Sequence, residues 1–105
     1  MNQAHRQLVA NAQDLLPTLR ERSAEALANR QIPKATIEDF HEAGFWKMLQ
    51  PKRFGGAEVH PNTFFDVQTT VATACPSSAW VLGVVAVHAW QMALFDDRAQ
   101  QEVWS

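Results

Sequence analysis

The 105-residue sequence has one cysteine, four glycines and no Asp, Glu, Lys or Arg anywhere between Val67 and Phe95. Cys75 alone cannot close an intramolecular disulfide, which excludes the cross-linked framework of small secreted domains and favours a reducing cytoplasm. Gly44, the pair Gly55-Gly56, and Gly83 form no phosphate-loop pattern, and no Cys/His or His/Glu cluster has metal-ligand spacing. Neither a nucleotide loop nor a metal site is expected. Nor is there an excess of positive charge. Nine Lys and Arg stand against eleven Asp and Glu, a net charge of −2, so no basic field attracts a nucleic acid or an anionic lipid surface. Met1 to Arg22 mixes polar and charged residues with scattered leucines, leaving no uninterrupted apolar core of a signal peptide.

What is present is enough to fold. With 47% hydrophobic and 19% charged residues, one compact domain that offsets its chain entropy is expected. From Gln3 to Asn29 the apolar positions Leu8, Ala12, Leu15, Leu16, Leu19, Ala26 and Leu27 recur at three- and four-residue spacing, the pattern of an amphipathic helix. Pro17 lies inside it, and because the stripe keeps phase a kink is favoured over a break. A second helix is expected from Ile32-Pro33, with Pro33 at its first position, Ile37, Phe40 and Ala43 inward, and Gly44 as a left-handed cap. Phe45 to Leu49 is a short apolar patch. The following Gln50-Pro51-Lys52-Arg53-Phe54-Gly55-Gly56 reads as a loop in which the glycine pair permits positive φ or close approach of another backbone. A third helix after His60-Pro61 should carry Phe64, Val67, Val71 and Ala74 on one face and stop before Pro76, with Ser77 or Ser78 capping the next helix.

That next helix, Ala79 to Phe95, is apolar all round: Trp80, Val81, Leu82, Val84, Val85, Val87, Trp90, Met92, Leu94 and Phe95 surround its axis. Such a helix is either buried or membrane-spanning. Pro76 and its serines leave about 17 residues against the roughly 20 that a span requires, with His88 and Gln91 near mid-bilayer, so burial is the expectation. A domain this small cannot cover every face of such a helix, which implies further protein around it or an obligate oligomer. Asp96 or Asp97 starts a last helix through Ala99, Val103 and Trp104.

His88 is the one ionisable group in this run, and an imidazole there serves as donor, acceptor or proton shuttle, or is a histidine satisfied by a backbone carbonyl. Trp80, Trp90, Met92 and Phe95 form either an aromatic pocket or ordinary core. Cys75 has no basic neighbour in sequence and is read as packing. His5, His41 and His60 are expected to be solvated, as are Lys52 and Arg53, which otherwise would meet an anionic ligand.

Pro33 through Gly44, followed by the Phe45–Leu49 turn and the Pro51-Lys52-Arg53-Phe54-Gly55-Gly56 loop, resembles the N-terminal helical domain of the acyl-CoA dehydrogenase superfamily. Ala74-Cys75-Pro76-Ser77-Ser78-Ala79-Trp80-Val81 and Val87-His88-Ala89-Trp90 through Phe95 are more similar to one branch, the two-component flavin-dependent monooxygenases that hydroxylate hydroxyphenylacetate or steroid-derived phenols. The resemblance implies an all-α domain over residues 1–105, the β-barrel and C-terminal helical bundle of the family lying outside this chain. It also implies reduced flavin, FMN or FAD, delivered by a separate flavin reductase, an aromatic substrate, and a homo-oligomer, tetrameric in the family. His88 then holds or polarises the substrate hydroxyl, with Trp80 and Trp90 as further pocket residues. Two alternatives stay open: an acyl-CoA dehydrogenase domain, and a non-catalytic helical module that self-associates through its apolar helix.

Overall fold

A computed structural model describes residues 3–104, and among them there are helices and turns but no strand. Five α-helices follow one another: α1 (Gln3–Asn29), α2 (Lys34–Glu42), α3 (Pro61–Ala72), α4 (Pro76–Met92) and α5 (Asp97–Trp104), with single 3-10 turns at Phe45–Lys47 and Lys52–Phe54. The all-α expectation holds. No helix among the described residues is long and apolar enough to cross a membrane.

α1 continues through Pro17 and buries Leu8, Ala12, Leu19 and Ala26, the predicted stripe. Leu27 departs from it: it is 77% exposed, because it lies on an open groove between the end of α1 and the start of α4. The core forms where α1, α3, α4 and the first 3-10 turn meet. Phe40, Phe45, Met48, Leu19, Leu82, Val67 and Val71 are fully enclosed there. Ala74 is only half-buried, beyond the last turn of α3.

α2 starts one residue later than expected, with Pro33 just outside the helix in extended conformation. It turns Thr36 and Phe40 inward, while Ile37 is 44% exposed, contrary to the predicted face. Phe40 decides the face: it is fully buried against Phe45 and Trp46, which leaves Ile37 on the outer side. On the inner side Arg22 of α1 reaches Asp39 Oδ2 at 2.7 Å and Thr36 Oγ1 at 3.2 Å. Asn11 adds a bond from its side-chain amide to the Ala43 carbonyl, 3.1 Å. Gly44 then takes φ +84, as the left-handed cap requires.

The loop after it is tied into a knot. Ala57 N donates to Lys47 O and Val59 N to Met48 O, both at 2.9 Å, while Glu58 N donates to Gln50 O at 3.0 Å. Gly56 passes so close to this strand of chain that a Cβ there would stand 2.1 Å from Gln50 O, so the glycine serves close backbone approach. At the start of α3, His60 Nδ1 accepts from Asn62 N at 3.0 Å and Pro61 occupies the first turn. At the start of α4 neither Ser77 nor Ser78 caps: the helix begins at Pro76, with Cys75 in the capping position making no side-chain cap bond. Proline at the first helical position removes a donor that would otherwise need a cap. Asp96 does cap α5, its Oδ1 accepting from Ala99 N at 2.8 Å.

Phe40 contacts the rings of Phe45 and Trp46 at centroid distances of 5.4 and 5.6 Å. Phe40→Ala is expected to reduce the free energy of unfolding by about 3–5 kcal/mol. Ile37→Ala, on the outer side of the same helix, should reduce it by less than about 1 kcal/mol. Urea unfolding of the two variants measures the contrast; equal losses would contradict this orientation of α2.

Candidate functional site

α4 is amphipathic by size, not by polarity. Its buried residues are Ser78, Ala79, Leu82, Gly83 and Ala86, mostly small, and they let the helix approach its neighbours closely. The bulky residues face out: Trp80 is 72% exposed, and Val84, Val85, Val87, Trp90 and, just past the helix end, Leu94 and Phe95 are also exposed. Within this chain the helix is therefore covered on one side only, as expected of a domain too small to enclose it. Scattered exposed apolar residues are ordinary in proteins, but a continuous aromatic and aliphatic face marks an interaction or ligand surface.

His88 lies on this exposed side. Its Nδ1 pairs with the carbonyl of Val84, one turn back on the same helix. Because a carbonyl only accepts, Nδ1 carries the proton in this pairing, and in the neutral ring Nε2 keeps its lone pair as an acceptor. Both readings of this residue thus meet here: a backbone carbonyl orients the imidazole, and the ring is exposed to solvent. The three predicted residues are not gathered into one pocket within this chain. Trp90 is two residues from His88, about 200° around the axis, and Trp80 is about 12 Å away along it. Trp80 instead borders a groove of about 260 Å3 between α3 and α4, with Phe64, Phe65, Gln68, Gly83, Val84 and Val87. Trp80 also borders a second groove of about 490 Å3, beside Leu27, Arg30, Ile32 and Val81.

Several polar residues behave differently from their sequence reading. His5 is not simply solvated: its Nδ1 pairs with Thr63 Oγ1 at 2.7 Å and its Nε2 lies 3.3 Å from Asp66 Oδ2, joining the start of α1 to α3. His60 is a helix cap, as above, and His41 is exposed. Arg53 pairs with Asp97 and donates to Gln100 Oε1 at 3.0 Å, with its guanidinium 4.5 Å from the Phe54 ring centroid. Phe54 in turn meets Trp104 at 5.3 Å. Arg53 therefore fastens α5 to the glycine loop, which accounts for its charge without an anionic ligand. Lys52 remains exposed. Cys75 is buried, as read, and accepts from Ser78 Oγ at 3.1 Å. Burial pushes its thiol pKa up, but hydrogen bonds from Ser78, Ser23 and Ser77 outweigh burial, so the net direction is down.

Gln100 holds the C-terminal end together, a structural role that its polarity did not signal in sequence. It is 5% exposed, donates to Ala93 O at 3.1 Å and Phe95 O at 2.8 Å, and accepts from Arg53. One side chain closes carbonyls left open where α4 ends. Gln68 was equally unmarked. It reaches from α3 to Ala79 O on α4, 3.1 Å.

Fold and site together define a helical domain whose fourth helix leaves apolar side chains uncovered. The chain belongs to the family described as acyl-CoA dehydrogenase, N-terminal domain, which it matches over residues 2–105. It is 42% identical over 90 residues to the flavin-dependent monooxygenase oxygenase subunit HsaA of Rhodococcus jostii, covering 86% of this chain and 24% of that protein. It is 30% identical over 97 residues to the p-hydroxyphenylacetate 3-hydroxylase oxygenase component of Acinetobacter baumannii, covering 92% of this chain and 23% of that one. The crystal structure of the HsaA monooxygenase from M. tuberculosis superposes with a TM-score of 0.90 at 38% identity, over 95% of this chain and 27% of that chain. The chain thus spans about a quarter of the length of the curated relatives it matches.

Gln100→Leu keeps the side-chain volume but strands the Ala93 and Phe95 carbonyls. A loss of about 1–3 kcal/mol is expected, with faster amide exchange confined at first to α5 and the end of α4. Unchanged unfolding and exchange would show that water replaces the amide at no cost.

Proposed function

We propose that residues 1–105 are the N-terminal helical domain of the oxygenase component of a reduced-flavin-dependent monooxygenase that hydroxylates an aromatic, phenolic substrate. The observation that carries this reading is the outer face of α4, where a carbonyl-oriented His88 stands beside the exposed aliphatic side chains of Val84 and Val85. An apolar wall with one oriented polar group is the composition of a small-molecule site. The relatives' names, monooxygenase and hydroxylase, support hydroxylation over dehydrogenation.

In this reading His88 Nε2 accepts the hydrogen bond of the substrate hydroxyl, drawing on the proton and enriching the ring in electron density where it is to be oxygenated. Trp80 and Trp90 supply separate stretches of apolar wall. Reduced flavin, FMN or FAD, supplied by a separate flavin reductase, activates dioxygen when bound. The residues of this chain do not by themselves fit that group. All buried polar side-chain atoms among the described residues have partners. No Lys or Arg lies between Val67 and Phe95 to meet a phosphate, and the α3–α4 groove, about 260 Å3, is small for a tricyclic ring with its chain. The flavin contacts are accordingly assigned to segments outside these residues, and a cytoplasmic homo-oligomer, a tetramer, is the assembly in which they would meet α4.

A second reading rests on the same exposed face: a helical module that self-associates through α4 and has no chemistry of its own. The native protein decides between them. With a reductase, reduced flavin and isotope-labelled dioxygen, the first reading expects one labelled oxygen atom in a hydroxylated phenol. His88→Ala should lower kcat/KM by about 100-fold or more, and a fully active variant would remove His88 from the site. A colourless oligomer indifferent to reduced flavin and to phenols would establish the module instead.

A further inference from the structure

The groove between α3 and α4 has apolar walls and one polar feature. Phe65 and Trp80 stand at its sides with Val84 and Val87, and the side-chain amide of Gln68 crosses it. The crossing depends on Gly83: a Cβ at that position would lie 2.0 Å from Gln68 Nε2. An amide offers two donor hydrogens and an oxygen with two lone pairs. Gln68 uses one donor, to Ala79 O at 3.1 Å, and that partner fixes the amide's orientation, since a carbonyl cannot donate. Oε1 accepts no bond among the described residues, and the side chain is half-buried. A notched, oriented amide with free capacity is thus set into an aromatic groove.

No charged residue lines the groove. Asp66, next to Phe65 in sequence, is negative and is engaged by His5 at 3.3 Å. A carboxylate placed here would give up part of its hydration with no cation to replace it, whereas a neutral amide, hydroxyl or ketone would be satisfied by Gln68. His88 is not itself a groove residue, but its ring is held on the carbonyl of Val84, which is one. From Gly83 to His88 the helix rises about 7.5 Å and turns through about 140°, so a substituted ring that reaches from Gln68 to His88 lies across Val84 and Val87.

We infer that this groove is a subsite for the ring substituent of the substrate, and that Gln68 selects substrates whose substituent is neutral and hydrogen-bonding over those whose substituent is anionic. The inference rests on the aromatic-hydroxylase reading, with the ring hydroxyl at His88 and the substituent at Gln68. Gln68 is a specificity-determining residue that leaves the reacting ring to other groups.

The test is calorimetric titration of the flavin-free, full-length protein with 4-hydroxyphenylacetamide and with 4-hydroxyphenylacetate, which share a ring and differ in charge. The amide is expected to bind about tenfold more tightly or better, and Gln68→Leu to weaken the amide about tenfold while leaving the acetate within about twofold. Gly83→Ala, which pushes the amide aside while Gln68 remains, should reproduce the same selective loss and carries the test if Gln68→Leu misfolds. Equal or tighter binding of the acetate, an unchanged ratio in both variants, or no binding of either compound would overturn the subsite. Turnover is measured separately. Hydroxylation of phenols without this binding pattern sinks the subsite alone, whereas no hydroxylation of any phenol sinks the reading on which it rests.

Discussion

The close seating of α4 on its neighbours is the contact on which the rest of the structure depends. Ser78, Ala79, Leu82, Gly83 and Ala86 are buried, and four of the five are small, so the helix sits deep against α1 and α3. Depth on that side leaves no room for bulk, and the bulk is displaced to the other side, as Trp80, Val84 and Val87. The same division creates the notch at Gly83 through which Gln68 passes and the platform from which His88 projects. Core packing and site geometry are therefore two faces of one sorting by size. Except at Gly83, where the flexible end of Gln68 is what an added Cβ would meet, enlarging the inner face would lift the helix and move every residue on the outer one.

The remaining elements hold that helix at both ends. Toward its start, Cys75 and Ser78 are bonded to each other beneath the first turn. Toward its end, Gln100 gathers the carbonyls of Ala93 and Phe95 and is itself held by Arg53. Arg53 belongs to the loop knotted at Gly56, so the loop, α5 and the end of α4 form one connected unit. The loop that looked in sequence like a solvated basic turn is a structural anchor. Its charge is used internally, in pairing with Asp97 and stacking on Phe54.

Much of this was legible. The α1 stripe, the left-handed Gly44, the close approach at Gly56, the inward Phe40 and the stop before Pro76 all follow from local rules, because spacing, proline and glycine act within a few residues. The errors share a cause. Ile37 and Leu27 fit an apolar stripe, yet which edge of that stripe is covered depends on where Phe40 packs and on the open groove beside the end of α1. His5 looked solvated because its partners, Thr63 and Asp66, are remote in sequence. Gln68 and Gln100 were silent for the same reason: an amide carries no charge or periodic signature, and its role is set by carbonyls that only folding brings near it.

By itself the sequence determined an all-α domain, the helices and their breaks, and an uncharged run from Val67 to Phe95 too short to span a bilayer once Pro76 divides it. These are properties of periodicity and composition, which need no knowledge of neighbours. Tertiary structure alone decided which side of α4 is inside, that His88 is bonded to its own helix yet exposed, and that Trp80 and Trp90 face different ways. A helix apolar all round has no hydrophobic preference for either side. Its orientation was settled by the fit of small side chains against α1 and α3, a matter of shape that exists only once the helices are packed.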